Sequence, residues 1–570
     1  MIPSLLSCTI MTQISKKYSL AFIFFILTLL IAIKPLFNKD LISGHDIAPH
    51  AIWVQLFYNA IKEGQFPVRW INGILPGLSY PQFQFYPPLL YYLTSLFQFF
   101  GANYITAIYI LIAISVGLGW LGMYLLGRKH FGEYGGIASA TLFVFTPYRF
   151  SQLYVRGAFG EHLATSLIPF VFLFSDKPIL FAIFLTLVLL AHQPTFLIIS
   201  LPVLIWVVYH WLKTKDNKII TNSLISGIIF LGLTSFFILP AIFERKFIHW
   251  QNLISDYYDF HQHFATPLQL LYSKWSYGIS QAGPKDSMSF QIGIINLLVI
   301  IATIATSIRL KLQSKISLLI FLFFFAFAFF MSTNLSLPIW ERFQILQFSQ
   351  YPWRFLLLIA FSTSFLVGYV FQFTDKFSKN TRLAILCGFG ITAMIFNLNF
   401  IKPGTYIPRD TFKLGSQTLQ AASSNDLTFS LEPGYLPIFT NVVSPKRPET
   451  AAALISGEAE INIVKNNIVD KKIVVDARTE STIHLFTNFF PGWTVRTNNR
   501  TRVPYTLTED EGFMDVKLPA GRHELSLKLE KTPVREISEA ITLLTLLILI
   551  GLTTKKKINH STIDTWFNLK

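Results

Sequence analysis

The stretch Ile219–Phe243, IITNSLISGIIFLGLTSFFILPAIF, decides the fold class of this chain. It holds 25 residues without a charged side chain, between Lys218 on one side and Glu244, Arg245 and Lys246 on the other. A helix rises about 1.5 Å per residue, so this stretch is long enough to cross a hydrocarbon core of about 30 Å. The sequence therefore predicts a membrane-spanning helix here.

Runs of this kind recur along the chain and set its composition. Of the 570 residues, 52% are hydrophobic, 16% are aromatic and only 14% are charged, whereas an ordinary soluble domain carries about 25% charged residues. This excludes a water-soluble globule, a disordered chain, a collagen and a coiled coil. Two cysteines, Cys8 and Cys387, provide no disulfide framework and no metal-binding pattern. The fold class predicted is a polytopic α-helical membrane protein.

The apolar runs predict about 12 spans, which divide the chain. They lie near 19–37, 104–127, 136–150, 163–175, 178–193, 195–212, 219–243, 291–308, 316–331, 354–373, 383–399 and 537–553. The apolar stretch Pro88–Gly101 is too short to cross and is interpreted as an interfacial or re-entrant helix.

The basic balance of the chain is explained by this topology. If the spans alternate, the short inside segments hold 18 cations and five acids, which accounts for +13 of the formal net charge of +16. The positive-inside rule then places both termini in the cytoplasm. The charge is thus a topology signal, and no nucleic-acid partner is predicted.

The composition turns polar over residues 400–535, and side chains alternate there with a period of two. Leu525, Leu527 and Leu529 follow the turn signal Pro519-Ala520-Gly521. We expect a membrane core over 1–399, an outside β-rich domain over 400–535, and a final span with a cytoplasmic tail over 536–570.

The first outside segment opens with Gly44-His45-Asp46 and continues to His50. An acid close to the membrane surface can act as a general base on a substrate that arrives from the lipid. The alternative is a helix cap or a solvated loop acid. His45 and His50 could bind substrate beside Asp46 or form a metal site with it, although a fourth ligand is lacking.

Further polar residues lie at the outer ends of the predicted spans. Arg156 can bind a phosphate, or it can pair with Glu161 and order the loop. His192 ends a span, where a lone histidine is more often a cap or a water-exposed residue than a catalyst, and it is a candidate substrate-binding residue together with Glu161. Arg354 follows Tyr351-Pro352-Trp353, and it is either an interfacial snorkelling residue or a lipid-phosphate contact.

Several soluble catalytic motifs are absent from the sequence. It contains no glycine-rich phosphate loop, no GxSxG, no HExxH and no paired CxxC. ATP-driven transport, lipase-type hydrolysis and zincin chemistry are therefore not predicted.

The order of these motifs resembles a known class. The Gly44-His45-Asp46 acid is followed by Gly64–Trp70 (GQFPVRW) and Tyr86-Pro87-Pro88-Leu89. This pattern resembles the integral-membrane glycosyltransferases of the GT-C fold. Arg156-Gly157 with Glu161, the Tyr351–Arg354 stretch, Phe490–Trp493 and Pro519–Gly521 are similar to a bacterial branch, the YfhO-like or 6-pyruvoyl-tetrahydropterin synthase-related membrane proteins.

This resemblance implies a function and a location. It implies transfer of a sugar from a polyprenyl-phosphate donor to a glycan, lipid or protein acceptor, outside the bacterial cytoplasmic membrane. Asp46 would be the catalytic base, and the departing phosphate would meet Arg156, Arg69 or Arg354. Such enzymes often carry two adjacent acids at this position, whereas this chain has His45-Asp46. The resemblance therefore implies no requirement for a divalent-metal cofactor. The competing classes are a transporter of lipid-linked sugars and a non-catalytic accessory protein.

Overall fold

The computed structural model describes residues 19–72, 79–307, 312–409, 412–414, 419–421, 432–440, 450–497 and 501–559. Thirteen helical elements of ten residues or more lie in these ranges. They are α1 (Ser19–Ala32), α2 (Ile47–Lys62), α3 (Leu89–Phe99), α4 (Tyr104–Val144), α5 (Phe159–Leu173), α6 (Pro178–Ala191), α7 (Gln193–Thr214), α8 (Lys218–Glu244), α9 (Ile294–Ser307), α10 (Leu312–Met331), α11 (Leu356–Gln372), α12 (Lys379–Asn397) and α13 (Pro533–Asn559).

Long apolar helices dominate this part of the chain. Among the described residues, five helical segments are long and apolar enough to cross a membrane: Tyr104–Val144, Gln193–Thr214, Lys218–Phe247, Pro352–Lys376 and Lys379–Phe400. Helices α1, α3, α5, α6 and α9 and most of α10 are apolar but have only 10–17 residues. The helical membrane architecture is confirmed, and the number of about 12 spans stays a prediction.

One boundary agrees with the sequence-based expectation and one differs from it. The spans expected at 104–127 and 136–150 lie in α4, which consists of two helices joined at the non-helical Gly132, with φ of 74° and ψ of −173°. The second helix folds back on the first, since a Cβ atom on Gly136 would lie 2.9 Å from backbone atoms of Tyr124 and Arg128. The outside loop expected from residue 151 begins instead with a buried π-helical turn, Ser151–Arg156. Gln152, Tyr154 and Arg156 of this turn have hydrogen-bond partners inside the protein, so their polarity does not indicate exposure.

Helix α11 forms the centre of the membrane core. It packs against α4, α9 and α10. Of the 18-residue apolar stretch in the span Pro352–Lys376, 89% is buried inside the protein, compared with 17% for the span that contains α12. A helix that is apolar on all sides is expected at such an interior position. The core thus surrounds α11, while α12 presents most of its surface outward.

The C-terminal region folds as two antiparallel four-stranded sheets. The strands are β1 (Ala452–Ser456), β2 (Ala459–Asn466), β3 (Asp470–Ala477), β4 (Ser481–Leu485), β5 (Trp493–Arg496), β6 (Tyr505–Leu507), β7 (Met514–Leu518) and β8 (Gly521–Leu529). One sheet has the order β6-β7-β4-β1 and the other β5-β8-β3-β2. Leu525 and Leu527 of β8 are fully buried, as their alternation predicts. The β-rich region is confirmed.

Three connections attach this region to the helices. Leu41–Ile42 pairs antiparallel with Tyr406–Ile407, and Trp70 packs edge-on against Trp493 at 5.7 Å between ring centroids. Helix α13 then returns the chain along α8. The segments that carry Leu41 and Trp70 therefore pack against the β-rich region.

Candidate functional site

A cavity of about 630 Å³ lies where segments that connect the helices of the core meet the C-terminal region. Its walls combine the start of α2, the α6–α7 connection, the end of α8 and the segments around residues 257, 350 and 433. The charged and histidine residues of its lining are Asp46, His50, His192, Arg245, Arg354 and Glu432. Four of these were predicted from sequence, and Arg245 and Glu432 were not.

Asp46 is fixed by its backbone, and its carboxylate is left open. Its N–H donates to the carbonyl of Arg156 at 2.7 Å, and its own carbonyl accepts from the N–H of His50 at 3.0 Å. Although Asp46 stands at the N-cap position of α2, its side chain makes no capping hydrogen bond. Within the described part of the chain, no hydrogen bond or ion pair engages the carboxylate, so it is available to a ligand.

His50 and His45 have protein partners of their own. The Nδ1 atom of His50 lies 2.8 Å from the hydroxyl of Tyr91, and burial lowers the pKa of His50 to about 4, against the opposing effect of Asp46. His45 lies outside the cavity lining, with Nε2 at 3.1 Å from the carbonyl of Tyr277. Among the described residues no three histidine, cysteine or acidic side chains form a metal-binding group.

Glu161 gathers two of the predicted arginines behind the cavity wall. Its Oε2 accepts from Arg156 Nη1 at 2.9 Å and lies 3.3 Å from Arg354 Nε. Tyr148 donates its hydroxyl to Oε1 of Glu161 at 2.5 Å. Arg156 also lies over the ring of Trp353, 4.5 Å from its centroid. Arg156 and Glu161 thus form the expected pair, and they support Arg354 rather than line the cavity.

Arg354 is buried and reaches the cavity, which the snorkelling interpretation does not explain. Nη1 donates to the carbonyl of Ser349 at 2.8 Å and to Oε1 of Gln350 at 2.9 Å. Its Nη2 makes no hydrogen bond with the described residues. One edge of a rigidly held guanidinium is therefore left for an anionic ligand.

His192 caps α7 and also faces the cavity. The N–H of Thr195 donates to Nδ1 at 3.2 Å, and the hydroxyl of Thr195 lies 2.8 Å from the same atom. Because Nδ1 accepts from a backbone donor, a neutral ring carries its proton on Nε2. The structure supports the capping interpretation, and the Nε2–H group of His192 remains as a hydrogen-bond donor for the cavity.

Arg69 is not brought to this cavity. Its Nη2 donates to Glu539 Oε1 at 3.0 Å and to the carbonyl of Phe236 at 2.9 Å, and Nη1 donates to Gln84 at 3.2 Å. These bonds connect the first outer segment to α8 and α13. The expectation that Arg69 meets the phosphate therefore has no support in this geometry, because the side chain is committed to joining helices.

Arg245 and Glu432 complete the cavity from segments that sequence reasoning left unassigned. Arg245 directly follows α8, is exposed, and lies over the ring of Trp250 at 5.2 Å from its centroid. It forms no ion pair within the described residues. The Oε2 atom of Glu432 accepts from the hydroxyl of Tyr258 at 2.8 Å. The charged stretch Glu244-Arg245-Lys246 at a span end was the only sequence signal for Arg245, and no motif marked Glu432.

The chain matches the model of a protein family. The model described as "6-pyruvoyl-tetrahydropterin synthase related domain; membrane protein" matches residues 83–401, which is more than half of the chain. A curated relative from Lactococcus lactis subsp. cremoris (strain MG1363), itself described as uncharacterized, is 25% identical over 253 residues. That alignment spans 40% of this chain and 41% of the relative.

Three solved structures are distantly similar to the chain. Arabinofuranosyltransferase AftD from Mycobacteria is 14% identical with a TM-score of 0.43, over 69% of this chain and 27% of that protein. ArnT from Cupriavidus metallidurans, solved bound to undecaprenyl phosphate, is 13% identical with a TM-score of 0.38, over 66% and 64%. The oligosaccharyltransferase of Archaeoglobus fulgidus is 15% identical with a TM-score of 0.38, over 68% and 54%. The chain spans less than two thirds of each.

Proposed function

The chain belongs to the 6-pyruvoyl-tetrahydropterin synthase-related family of membrane proteins, and we propose that this member is a glycosyltransferase. It moves a sugar from a polyprenyl-phosphate donor to an acceptor at the outer face of the membrane. The observation that carries the proposal is the unengaged carboxylate of Asp46 in a cavity that also holds Arg354 and Arg245. Sugar transfer of this type needs a base for the acceptor and cations for the departing phosphate.

The two arginines suit the phosphate of the donor. Arg354 presents a fixed guanidinium edge from inside the wall, because Ser349 and Gln350 hold its other nitrogen. Arg245 is exposed where α8 ends, which places a second cation beside the membrane-facing part of the chain. Guanidinium groups bind phosphate oxygens through parallel hydrogen bonds. His192 Nε2–H adds a neutral donor toward the same space.

The cavity also has an apolar side suited to a lipid tail. Ile242, Ile345 and Phe348 line it, and their side chains are 54%, 60% and 40% exposed. Exposed apolar surface of this kind is ordinary where a protein faces lipid. A polyprenyl chain can therefore lie in the bilayer while its phosphate reaches the arginines.

The proposed sugar transfer is a single displacement at the anomeric carbon. Asp46 accepts the proton of an acceptor hydroxyl, and the freed oxygen forms a bond to the anomeric carbon of the donor sugar. The bond between that carbon and the phosphate oxygen breaks, and the electron pair leaves with polyprenyl phosphate. Attack from the face opposite the phosphate inverts the anomeric centre. Arg354 and Arg245 stabilise the negative charge that grows on the leaving phosphate.

The first test is the Asp46→Asn variant in purified full-length protein. Asparagine keeps the size of aspartate but cannot take a proton, and a positioned base contributes roughly 10²–10⁴-fold in rate. We expect sugar transfer from a labelled polyprenyl-phosphate donor to fall by about that factor, with the unfolding temperature unchanged. The matched control is Asp510→Asn, an exposed acid of the β-rich region.

The outcomes of this test separate the classes of function. Transfer by wild type and by Asp510→Asn, together with its loss in Asp46→Asn, supports the proposal. Turnover at the wild-type rate in Asp46→Asn removes Asp46 from the mechanism. No transfer by wild type with any donor favours the accessory or transport protein instead. Adding EDTA to the wild-type assay tests whether a divalent metal takes part.

A further inference from the structure

Glu432 is the second carboxyl group of the cavity and comes from the opposite end of the chain. It belongs to the segment 432–440 that precedes the two four-stranded sheets, and Pro433 and Tyr435 beside it also line the cavity. Asp46 belongs to the first outer segment. The cavity is therefore completed by the C-terminal part of the molecule.

The segment that carries Glu432 is held against the outer helices. Backbone hydrogen bonds join His249 N–H to the carbonyl of Leu436 at 3.1 Å and Ile438 N–H to the carbonyl of Phe247 at 3.0 Å. The ring of Tyr435 stacks on Phe85 with 6.1 Å between centroids. These contacts fix the position of Glu432 independently of its own side chain.

One oxygen of Glu432 accepts a hydrogen bond from a tyrosine, and the other is buried without a hydrogen-bond partner in the part of the chain that the structure describes. Oε2 accepts from the Tyr258 hydroxyl at 2.8 Å, whereas Oε1 is buried and has no hydrogen-bond partner among the described residues. No cation pairs with this carboxyl group in that part of the chain. Burial raises the pKa of Glu432 to about 7 against the opposing effects of the Tyr258 hydroxyl and the backbone N–H of Gly434, and the negative charge of Asp46 adds to the rise. A buried polar atom without a partner costs free energy, which a bound ligand would recover.

The charge of Glu432 indicates which ligand group it meets. A phosphate would be repelled by the two carboxyl groups and is better served by Arg245 and Arg354. A sugar hydroxyl is neutral, and it can donate to an ionised carboxylate or accept from a protonated one. The rings of Trp53, Tyr86 and Tyr435 in the same lining offer flat apolar surface to a sugar ring.

We propose that Glu432 binds the acceptor: its Oε1 atom hydrogen-bonds a hydroxyl group of an acceptor sugar and holds that sugar beside Asp46. This inference rests on the proposed function, because it names the acceptor of that reaction as a carbohydrate. Glu432 forms no covalent bond and takes no proton from the attacking oxygen. The C-terminal segment thus supplies the acceptor subsite, while the helical core supplies the base and the phosphate contacts.

The test measures binding, so it does not depend on turnover. Purified full-length protein in nanodiscs is titrated with methyl β-D-glucopyranoside, followed by the intrinsic fluorescence of the cavity tryptophans, and separately with undecaprenyl phosphate. We expect Glu432→Ala to weaken glucoside binding about tenfold or more, as a lost hydrogen bond to a charged group does. Glu432→Gln keeps an oxygen at this position and should recover part of that loss. Undecaprenyl phosphate binding should stay within twofold of wild type.

Two controls separate binding from structure. Tyr258→Phe removes the hydrogen bond to Oε2 but leaves Oε1, so glucoside binding should change less than threefold. Glu460→Ala removes an exposed carboxylate of β2 and should have no effect. Equal glucoside binding by wild type and Glu432→Ala would overturn the proposal, as would a wild type that does not bind the glucoside or an equal loss of both ligands. None of these results depends on whether Asp46→Asn transfers sugar.

Discussion

Gly157 sets the position of Asp46 from the neighbouring turn. It ends the buried turn Ser151–Arg156 with φ of 70°, in the left-handed region that favours glycine. A Cβ atom at this position would lie 2.0 Å from the side chain of Ile47, the residue that follows Asp46. The carbonyl of Arg156, the residue before Gly157, accepts a hydrogen bond from the N–H of Asp46. The turn therefore positions Asp46 through this hydrogen bond and through the close approach of Gly157 to Ile47.

Replacing this glycine should therefore impair the site through its backbone. In Gly157→Ala, the left-handed conformation costs roughly 1–2 kcal/mol, and Ile47 must move away from the new methyl group. We expect sugar transfer to fall about tenfold or more, because small displacements of a catalytic group reduce rates strongly. Gly388→Ala is the control, since no atom lies within 4 Å of a Cβ there. Wild-type transfer by Gly157→Ala would show that Asp46 is not positioned by this turn.

Among single residues, the sequence predicted those that lie in recognisable motifs. Asp46 follows the first predicted span and Arg354 begins a later one, and both line the cavity. Arg69 lies in the same outside segment as Asp46 and also within a motif, GQFPVRW, but it pairs with Glu539. No local pattern distinguishes the two outcomes. Glu432 was not found, because its role depends on a long-range contact with Tyr258 that has no local signature.

At the scale of elements, α8 and α13 are joined by a buried ion pair. Arg535 donates through Nε and Nη2 to Oε2 of Glu244, at 3.0 and 2.9 Å, and both side chains are at most 4% exposed. Thr532 donates to Oε1 of the same carboxylate at 2.5 Å. Because α8 also contributes to the cavity wall, this pair connects the C-terminal helix to the site.

Breaking this pair should destabilise the fold. Arg535→Met leaves Glu244 buried without its cation, and removing one partner of a buried pair costs about 3–5 kcal/mol. We expect a clearly lower unfolding temperature in detergent, with part of the loss recovered by the double variant Glu244→Gln/Arg535→Met. The exposed Arg478, which pairs with Glu460, provides the control Arg478→Met, with little change expected. Equal unfolding temperatures of Arg535→Met and wild type would show that this ion pair does not stabilise the fold.

Sequence patterns predicted elements well where a single property decides them. Continuous apolar runs predicted α7, α8, α11 and α12, since hydrocarbon requires both apolar side chains and internal backbone hydrogen bonds. The buried turn Ser151–Arg156 was taken for a loop, because its polar residues are satisfied by tertiary partners such as Glu161. Period-two alternation predicted β8 for the equally local reason that one face of a strand is buried.

At the scale of the whole molecule, the helical core and the segment 432–440 share one cavity. Asp46, Arg354 and His192 come from the core, and Glu432 comes from this segment, which precedes the two four-stranded sheets. This arrangement requires the outer ends of the helices and the β-rich region to lie on one side of the membrane. The charge distribution predicts that this side is the outside.

Cysteine labelling tests that orientation. In a Cys8→Ser/Cys387→Ser background, single cysteines replace the exposed residues Lys39, Ser456 and Asp216. An impermeant thiol reagent should label the first two in intact cells, because both lie on the cavity side. Asp216→Cys should label only after permeabilisation. Labelling of Asp216→Cys in intact cells, with protection of Ser456→Cys, would reverse the predicted topology.

The most direct measurement is a cryo-electron microscopy structure of the Asp46→Asn variant with a polyprenyl-phosphate sugar, since this variant should bind the donor without consuming it. We expect the phosphate to lie within hydrogen-bond distance, about 3 Å, of Arg354 or Arg245. We expect the sugar to contact residue 46 and the lipid tail to lie beside Ile242, Ile345 and Phe348. A donor phosphate bound away from these arginines, or a cavity without donor at saturating concentration, would contradict it.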